Sequence, residues 1–191
     1  MKKGLLIILS GPSGVGKGCV RQEIMKNDKL GLVYSISMTT RKKREKEVDG
    51  KDYYFVSDEE FQRNIDNGNF LEWANFVGHR YGTPKDKVEQ LRNQGKNVFL
   101  EIEINGANQV MSKIHDDRMI SFFLMPPSFQ ALENRIRKRK TESEEIIQER
   151  LQKGLKEMTM TENYDYIVIN DKVQRAAQEI IDLIKAKNKK R

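Results

Sequence analysis

The chain has little of what would place it outside a cell or inside a membrane. Its 191 residues include one cysteine, Cys19, so no internal disulfide is available and a reducing cytoplasm suits it. The first apolar run, Leu5–Leu9, is shorter than the about 7–15 residues of a secretory core segment. No run approaches the ~20 residues that a bilayer crossing needs. Internal repeats and low-complexity linkers are also missing. These absences point to a soluble, cytoplasmic chain long enough for one domain with mobile appendages. Acidic residues are in deficit: 28 Asp and Glu against 35 Lys and Arg give a net charge of +7 and a pI of about 9.4. That balance suggests an anionic partner, whether nucleotide, nucleic acid or membrane surface. Part of the excess sits in the tail at Lys185, Lys187, Lys189, Lys190 and Arg191, which reads as a frayed, solvated helix end.

What is present is organised around Leu5-Leu6-Ile7-Ile8-Leu9-Ser10-Gly11-Pro12-Ser13-Gly14-Val15-Gly16-Lys17-Gly18-Cys19. The apolar run reads as a short strand buried on both faces. After the loop, Val20, Ile24 and Met25 have helical spacing. Strand, glycine loop, lysine and helix are the order of a phosphate-binding loop, in which backbone N–H groups and a helix N-terminus face phosphate oxygens. Lys17 then reaches the β- and γ-phosphates. An ordinary glycine turn is the alternative, and the spacing disfavours it. One component is lacking: the position after the lysine, which normally puts a hydroxyl on Mg²⁺, is Gly18, and Cys19 follows with a soft thiol that suits hard Mg²⁺ poorly.

Along the rest of the chain, strands are expected at 33–37, 70–76, 97–103, 119–124 and 166–170. Helices are expected from Ser57 to about Asn67, at 85–94, 106–113, 129–139, 145–161 and 173–186. Ser57-Asp58-Glu59-Glu60 and Thr141-Glu142-Ser143-Glu144 read as capping boxes, and residues 78–84 as a turn. Strands alternate with helices except in a β-rich insertion at about 38–82, which argues for a doubly wound α/β sheet with helices on both faces. Arg41 and Arg44, with hydroxyls before and tyrosines after, read either as part of a solvated loop or as a phosphate grip. Glu72 reads either as a solvated residue of an edge strand or as a buried carboxylate awaiting a donor. Glu101, near the C-terminal end of a core strand, lies where open parallel sheets bind ligands, close to nucleotide-borne Mg²⁺. The cationic run from Arg135 to Lys140 reads as a solvated face or an RNA patch, but it lacks the interleaved aromatics that stack on bases.

Taken together, these pieces resemble the guanylate kinase family of the nucleoside monophosphate kinase group, over nearly the whole chain. Thr39-Thr40-Arg41-x-x-Arg44-x-x-Glu47-x-x-Gly50-x-x-Tyr53-x-Phe55 is similar to that family's GMP-binding signature at every defined position. Gly11-Pro12-Ser13-Gly14-x-Gly16-Lys17, Phe70-x-Glu72-Trp73, Tyr81-Gly82-Thr83, Pro126-Pro127-Ser128 and Val168-Ile169-Asn170-Asp171 support it in the same order. The resemblance implies a P-loop monophosphate-kinase fold with a mostly parallel five-stranded sheet. Its core would span about 1–37, 83–126 and 148–191, with a GMP-binding region at about 38–82 and a lid at about 127–147. It implies that Arg41, Arg44, Tyr53 and Tyr81 hold the GMP phosphate, and that Ser37, Glu72 and Thr83 read guanine, with Glu103 beside them. Arg135, Arg139 and Arg150 would join Lys17 and Arg44 on the transferring phosphates. Residues Gly11 to Cys19, Val15 included, would cradle the ATP phosphates, with Asn170 near adenine. The chain departs from the family at Gly18 and Cys19, and at Glu101 and Glu103, where some members carry aspartates.

The implied reaction is ATP + GMP ⇌ ADP + GDP with Mg²⁺, in purine metabolism, with dGMP as a second acceptor and no nucleic acid or membrane partner. A monomer and a homodimer are both compatible with the sequence. Rival readings are a catalytically inactive kinase-like scaffold that binds proteins, an RNA-binding P-loop protein, and a kinase for another monophosphate.

Overall fold

The computed structural model describes residues 2–76, 78–138 and 143–189. Its strands are β1 (Leu6–Ser10), β2 (Leu32–Tyr34), β3 (Met38–Thr39), β4 (Tyr54–Phe55), β5 (Phe70–Phe76), β6 (His79–Pro84), β7 (Asn97–Glu101), β8 (Met119–Met125) and β9 (Tyr166–Ile169). Its helices are α1 (Lys17–Met25), α2 (Asp58–Asp66), α3 (Lys85–Asn93), α4 (Ile104–Lys113), α5 (Phe129–Arg137), α6 (Glu144–Glu157) and α7 (Val173–Lys189).

The main sheet has the order β2-β7-β1-β8-β9 and every pairing in it is parallel. This is the mostly parallel five-stranded sheet with flanking helices that the resemblance implies. β1 is central because it is apolar from Leu6 to Leu9 and buried at every position. Leu5, Ile7 and Leu9 pack with Val20, Ile24, Ala176, Ile180 and Ile184, whereas Leu6 and Ile8 pack with Val88, Leu100, Ala107 and Val110. Truncating one such side chain to Ala typically costs about 2–5 kcal/mol.

The second sheet has the order β4-β3-β6-β5. Residues 79–84, expected to be a turn, form the strand β6. It pairs antiparallel with both β3 and β5. Its Gly82, Thr83 and Pro84 carry no alternating pattern, and its stability comes from the ladders on either side. Helix α4 joins the two sheets. Its apolar face enters the core through Ala107 and Val110. Its polar face grips β5: the Gln109 amide accepts from Trp73 N (3.2 Å) and donates to Trp73 O (3.0 Å), while Lys113 Nζ donates to Leu71 O (3.2 Å).

Other boundaries shift for local reasons. β2 stops at Tyr34, three residues early, although Ser35 N still donates to Phe99 O at 3.0 Å. β7 ends at Glu101, and Glu103 becomes the residue preceding α4. Ser57 and Ser128 cap α2 and α5 by accepting from Glu60 N (3.2 Å) and Ala131 N (3.1 Å), as N-caps do. The expected capping box before α6 begins at Thr141 and Glu142, which lie outside the described residues; Ser143 precedes the helix without a side-chain cap bond. α5 and α6 share a small core of Leu132, Ile136, Ile147 and Leu151. No helix among the described residues is long and apolar enough to cross a membrane.

Candidate functional site

The loop of residues 11–16 leaves the C-terminal end of β1 and enters α1, at the sheet edge where parallel α/β proteins bind ligands. Gly11, Gly14 and Gly16 hold φ values of 145°, 87° and 99°, a region that favours glycine. At Gly11 a β-carbon would also stand 2.3 Å from Leu124 O. Gly16 precedes α1 without any side-chain cap, so the helix presents its first N–H groups and dipole to an anion. Lys17 folds back over the loop, with Nζ 2.6 Å from Gly11 O and 3.2 Å from Pro12 O. Burial lowers its pKa, and Glu101, Glu103 and Glu157 oppose that shift.

Cations from distant parts of the chain converge on this loop. Arg135 of α5 donates to Val15 O (3.0 Å) and Asn170 O (2.6 Å). Arg150 of α6 donates to Ser13 Oγ at 2.9 Å. Asn170, after β9, donates through Nδ2 to Val15 O at 2.8 Å, and its Oδ1 is buried with no hydrogen-bond partner among the described residues. Arg139 lies outside the described residues. Cys19 is exposed, with its thiol free. Gly18 faces Glu101: a β-carbon there would stand 3.8 Å from Glu101 Oε1.

Beside the loop, a cavity of about 420 Å³ opens between the second sheet and the ends of β2 and β7. Ser37, Arg41, Arg44, Tyr53, Glu72, Tyr81, Glu101 and Glu103 all line it. Glu72 is only 7% exposed. Burial raises its pKa, and the Thr83 hydroxyl, donating to Oε1 at 2.5 Å, offsets part of that rise. Thr83 therefore acts on the cavity through Glu72. Glu103 is half-exposed and sits 3.7 Å from Lys153 Nζ. On the opposite side, Arg41 forms a bidentate pair with Glu47, Nη1 to Oε2 at 3.0 Å and Nη2 to Oε1 at 2.7 Å. The Arg41 guanidinium lies 5.4 Å from the Tyr53 ring centre, and the Tyr53 and Tyr81 rings meet edge-on at 5.9 Å.

Four further residues take part to which the motifs assign no role. Glu47 stood in the signature without a role. Gly106, on the first turn of α4, lines the cavity against Glu72, and no local pattern announces a helix end packed on a distant strand. Arg21 holds Glu101 Oε2 at 2.6 Å and stacks on Tyr34, 4.4 Å from the ring centre; its place on α1, one turn after Lys17, was the available signal. Glu157 accepts from Ser13 N at 3.3 Å. The Tyr34 hydroxyl, which burial pushes up to about 12, stays neutral and polar at the cavity wall.

A family model for guanylate kinase matches residues 3–187. The chain is 52% identical to the guanylate kinase of Mesoplasma florum over 182 residues, covering 95% of this chain and 61% of that protein. It is 49% identical to the guanylate kinase of Onion yellows phytoplasma over 189 residues, covering 99% and 89%. The crystal structure of guanylate kinase from Anaplasma phagocytophilum superposes with a TM-score of 0.76 at 32% identity, covering 99% of this chain and 88% of that one. The chain thus spans about three fifths of the length of the Mesoplasma relative and nearly all of a phytoplasma one, and its phosphate loop, converging arginines and carboxylate-floored cavity are built from residues inside the matched stretch. The chain belongs to the guanylate kinase family.

Proposed function

We propose that this protein transfers the γ-phosphoryl group of MgATP to GMP, and to dGMP, giving ADP and GDP in the cytoplasm as a step of purine nucleotide metabolism. One observation carries the reading: a single cavity holds a buried carboxylate, Glu72, and an arginine pair, Arg41 and Arg44. That is an acceptor for a base and a donor set for a phosphate within one nucleotide-sized space. The names of the relatives favour this enzyme over the scaffold, RNA-binding and other-monophosphate readings.

Guanine presents N–H donors at N1 and N2, and an ionised Glu72 has lone pairs for both beyond the one bonded to Thr83. Adenine places a bare acceptor at N1 against the same carboxylate. A buried site left unpaired in this way discriminates by about 10⁴–10⁵. Ser37 and Tyr81 complete the walls, and Arg41, Arg44 and Tyr53 take the phosphate. The acceptor is already an oxyanion, because a phosphate monoester has its second pKa near about 6, so no general base is assigned.

The barrier is the repulsion of two polyanions. Lys17, Arg135, Arg150 and, beyond the described residues, Arg139 offset it and stabilise the transferring group. Lys17, Arg135 and Arg150 rest on oxygens of the loop itself, contacts that nucleotide phosphates would replace. In this reading, residues of about 38–82 and about 127–147 move as a GMP-binding region and a lid, and their closure excludes water.

The donor set suits magnesium carried in on the nucleotide. Among the described residues no group of three His, Cys, Asp or Glu is placed to hold a metal. Mg²⁺ commonly keeps its waters and takes one or two carboxylates plus substrate phosphates. Glu101 is the carboxylate here, oriented by Arg21. When bound, the ion neutralises charge on the β- and γ-phosphates.

The test is a coupled assay of ADP release with ATP, Mg²⁺ and each nucleoside monophosphate in turn. Turnover with GMP and dGMP, and only slow ATP hydrolysis without them, is the expected result. Equal turnover with AMP, CMP or UMP, or rapid hydrolysis without any acceptor, would overturn the reading.

A further inference from the structure

Glu47 lines the cavity and, among the described residues, hydrogen-bonds neither Glu72 nor the phosphate loop. Its contacts are instead with the arginine pair. Both carboxylate oxygens engage the Arg41 guanidinium, and Oε2 also accepts from the backbone N of Arg44 at 2.8 Å. We propose that Glu47 is the positioning residue of the monophosphate clamp: it fixes the plane of Arg41 and the backbone that carries Arg44, so that both reach one phosphate. This rests on the reading of the cavity as a GMP site.

Counting donors supports the assignment. A guanidinium has five N–H groups. Nη1 spends its two on Glu47 Oε2 and Lys42 O (2.9 Å), and Nη2 spends one on Glu47 Oε1. Two are taken by neither Glu47 nor Lys42, Nε–H and the second Nη2–H. They lie side by side on the long edge of the guanidinium, the fork that matches two phosphate oxygens. Glu47 thus occupies the end of the fork that a ligand could otherwise take in a wrong orientation, and leaves the edge that binds bidentately. The Tyr81 hydroxyl also accepts from this guanidinium, a bond that a phosphate oxygen at the same edge would share or replace.

The loop between β3 and β4 has few other restraints. Residues 42–46 are all exposed. Asp52 accepts from Val48 N (2.6 Å) and Asp49 from Phe55 N (2.9 Å), which closes the far end of the loop. At its near end the Thr39 hydroxyl accepts from Arg41 N (3.2 Å), and among the described residues Glu47 alone has a side chain bonded at both arginine positions. A carboxylate so near a phosphate site repels the ligand; the structure keeps it because one bidentate pair sets a geometry that five exposed residues do not. The Arg41 bond holds the Glu47 carboxyl well below its usual range, at about 2, so the clasp is ionised throughout the neutral range.

The test separates phosphate positioning from general damage by using a ligand without a phosphate. Glu47→Gln keeps size but gives up one acceptor and turns an amide N–H₂ towards the guanidinium or the Arg44 N–H. Binding of GMP and of guanosine to the whole chain is measured by calorimetry. In Glu47→Gln, GMP affinity falls about 10–100-fold, the scale of losing an orienting partner, while guanosine affinity stays within about twofold. In an Arg41→Lys background the same substitution costs GMP much less, because the fork it orients is gone. Equal losses for GMP and guanosine, unchanged or tighter GMP binding, or additive effects in the double variant would each overturn the proposal. A wild-type chain that binds no GMP would instead remove the functional reading beneath it.

Discussion

Glu72 and Gly106 leave each other no spare room: a β-carbon on residue 106 would stand 2.7 Å from Glu72 Oε2 and 3.1 Å from its carboxyl carbon. Gly106 lies inside α4 with ordinary helical backbone, so its glycine is not required by φ. A glycine within a helix costs about 1 kcal/mol relative to alanine. The chain accepts that cost where the helix end closes on the carboxylate proposed to read guanine.

The first prediction follows from that contact. Gly106→Ala gains helix propensity but must push a buried carboxylate aside, and overpacking of this kind costs about 1–3 kcal/mol. The expected outcome is a rise of tenfold or more in the KM for GMP with the KM for ATP little changed. With Glu72→Ala already in place, Gly106→Ala should become neutral or stabilising in thermal unfolding. A full penalty in that background would mean that the glycine serves something other than Glu72.

Glu72 also makes stability depend on pH, with a definite sign. Burial raises its folded pKa above the ordinary glutamate value. Between the two values the folded state holds a proton that the unfolded state has released, so stability falls as pH rises through that window. Glu72→Gln removes the titration while keeping an acceptor for Thr83. The thermal midpoint of the variant relative to wild type should therefore climb as pH is raised from 4 towards 8. GMP use should be lost in the same variant while ATP binding survives. A pH-independent difference would show that the carboxylate is not forced to ionise in the cavity.

Residues that carry a conformational or charge constraint were legible in the sequence. Gly11, Gly14 and Gly16 announced the loop because only glycine takes those φ values, and the apolar run announced β1 because its side chains face two cores. Arg41 and Arg44 stand in the signature and Glu72 and Tyr81 in the shorter pieces Phe70-x-Glu72-Trp73 and Tyr81-Gly82-Thr83, and all four line one cavity. Thr83 joins them through its bond to Glu72. Residues whose part depends on long-range packing were not legible. β6 read as a turn because its partners, not its composition, make it a strand. Gly106, Arg21 and Glu157 act across 34, 80 and 144 positions of sequence, respectively, and no window along the chain contains both ends.

Arg135 ties α5 to the phosphate loop through Val15 O and Asn170 O. In the proposed reaction it leaves those carbonyls for the transferring phosphates. Arg135→Ala should then lower kcat by about 10³–10⁵, the usual worth of such an arginine. ATP affinity, measured by calorimetry without turnover, should fall far less. Equal losses in binding and in kcat would assign Arg135 to loop structure alone.

The residue after Lys17 provides the last prediction. Gly18 supplies no hydroxyl, yet its α-carbon faces Glu101, and a β-carbon would meet Glu101 Oε1 at 3.8 Å, ordinary contact. The backbone at Gly18 has no positive φ, so a side chain is admissible there. Gly18→Ser therefore fits without strain and gains some helix propensity. Its hydroxyl would stand beside the carboxylate proposed to face nucleotide-borne Mg²⁺, adding a hard oxygen donor to a site whose protein ligands are few. The expected outcome is tighter binding of ADP in the presence of Mg²⁺, by several-fold, with metal-free ADP binding unchanged. Cys19→Thr, one position further and exposed, should do less. If Cys19→Thr gives the larger gain, the metal lies on the other side of the α1 first turn and Glu101 is not its carboxylate.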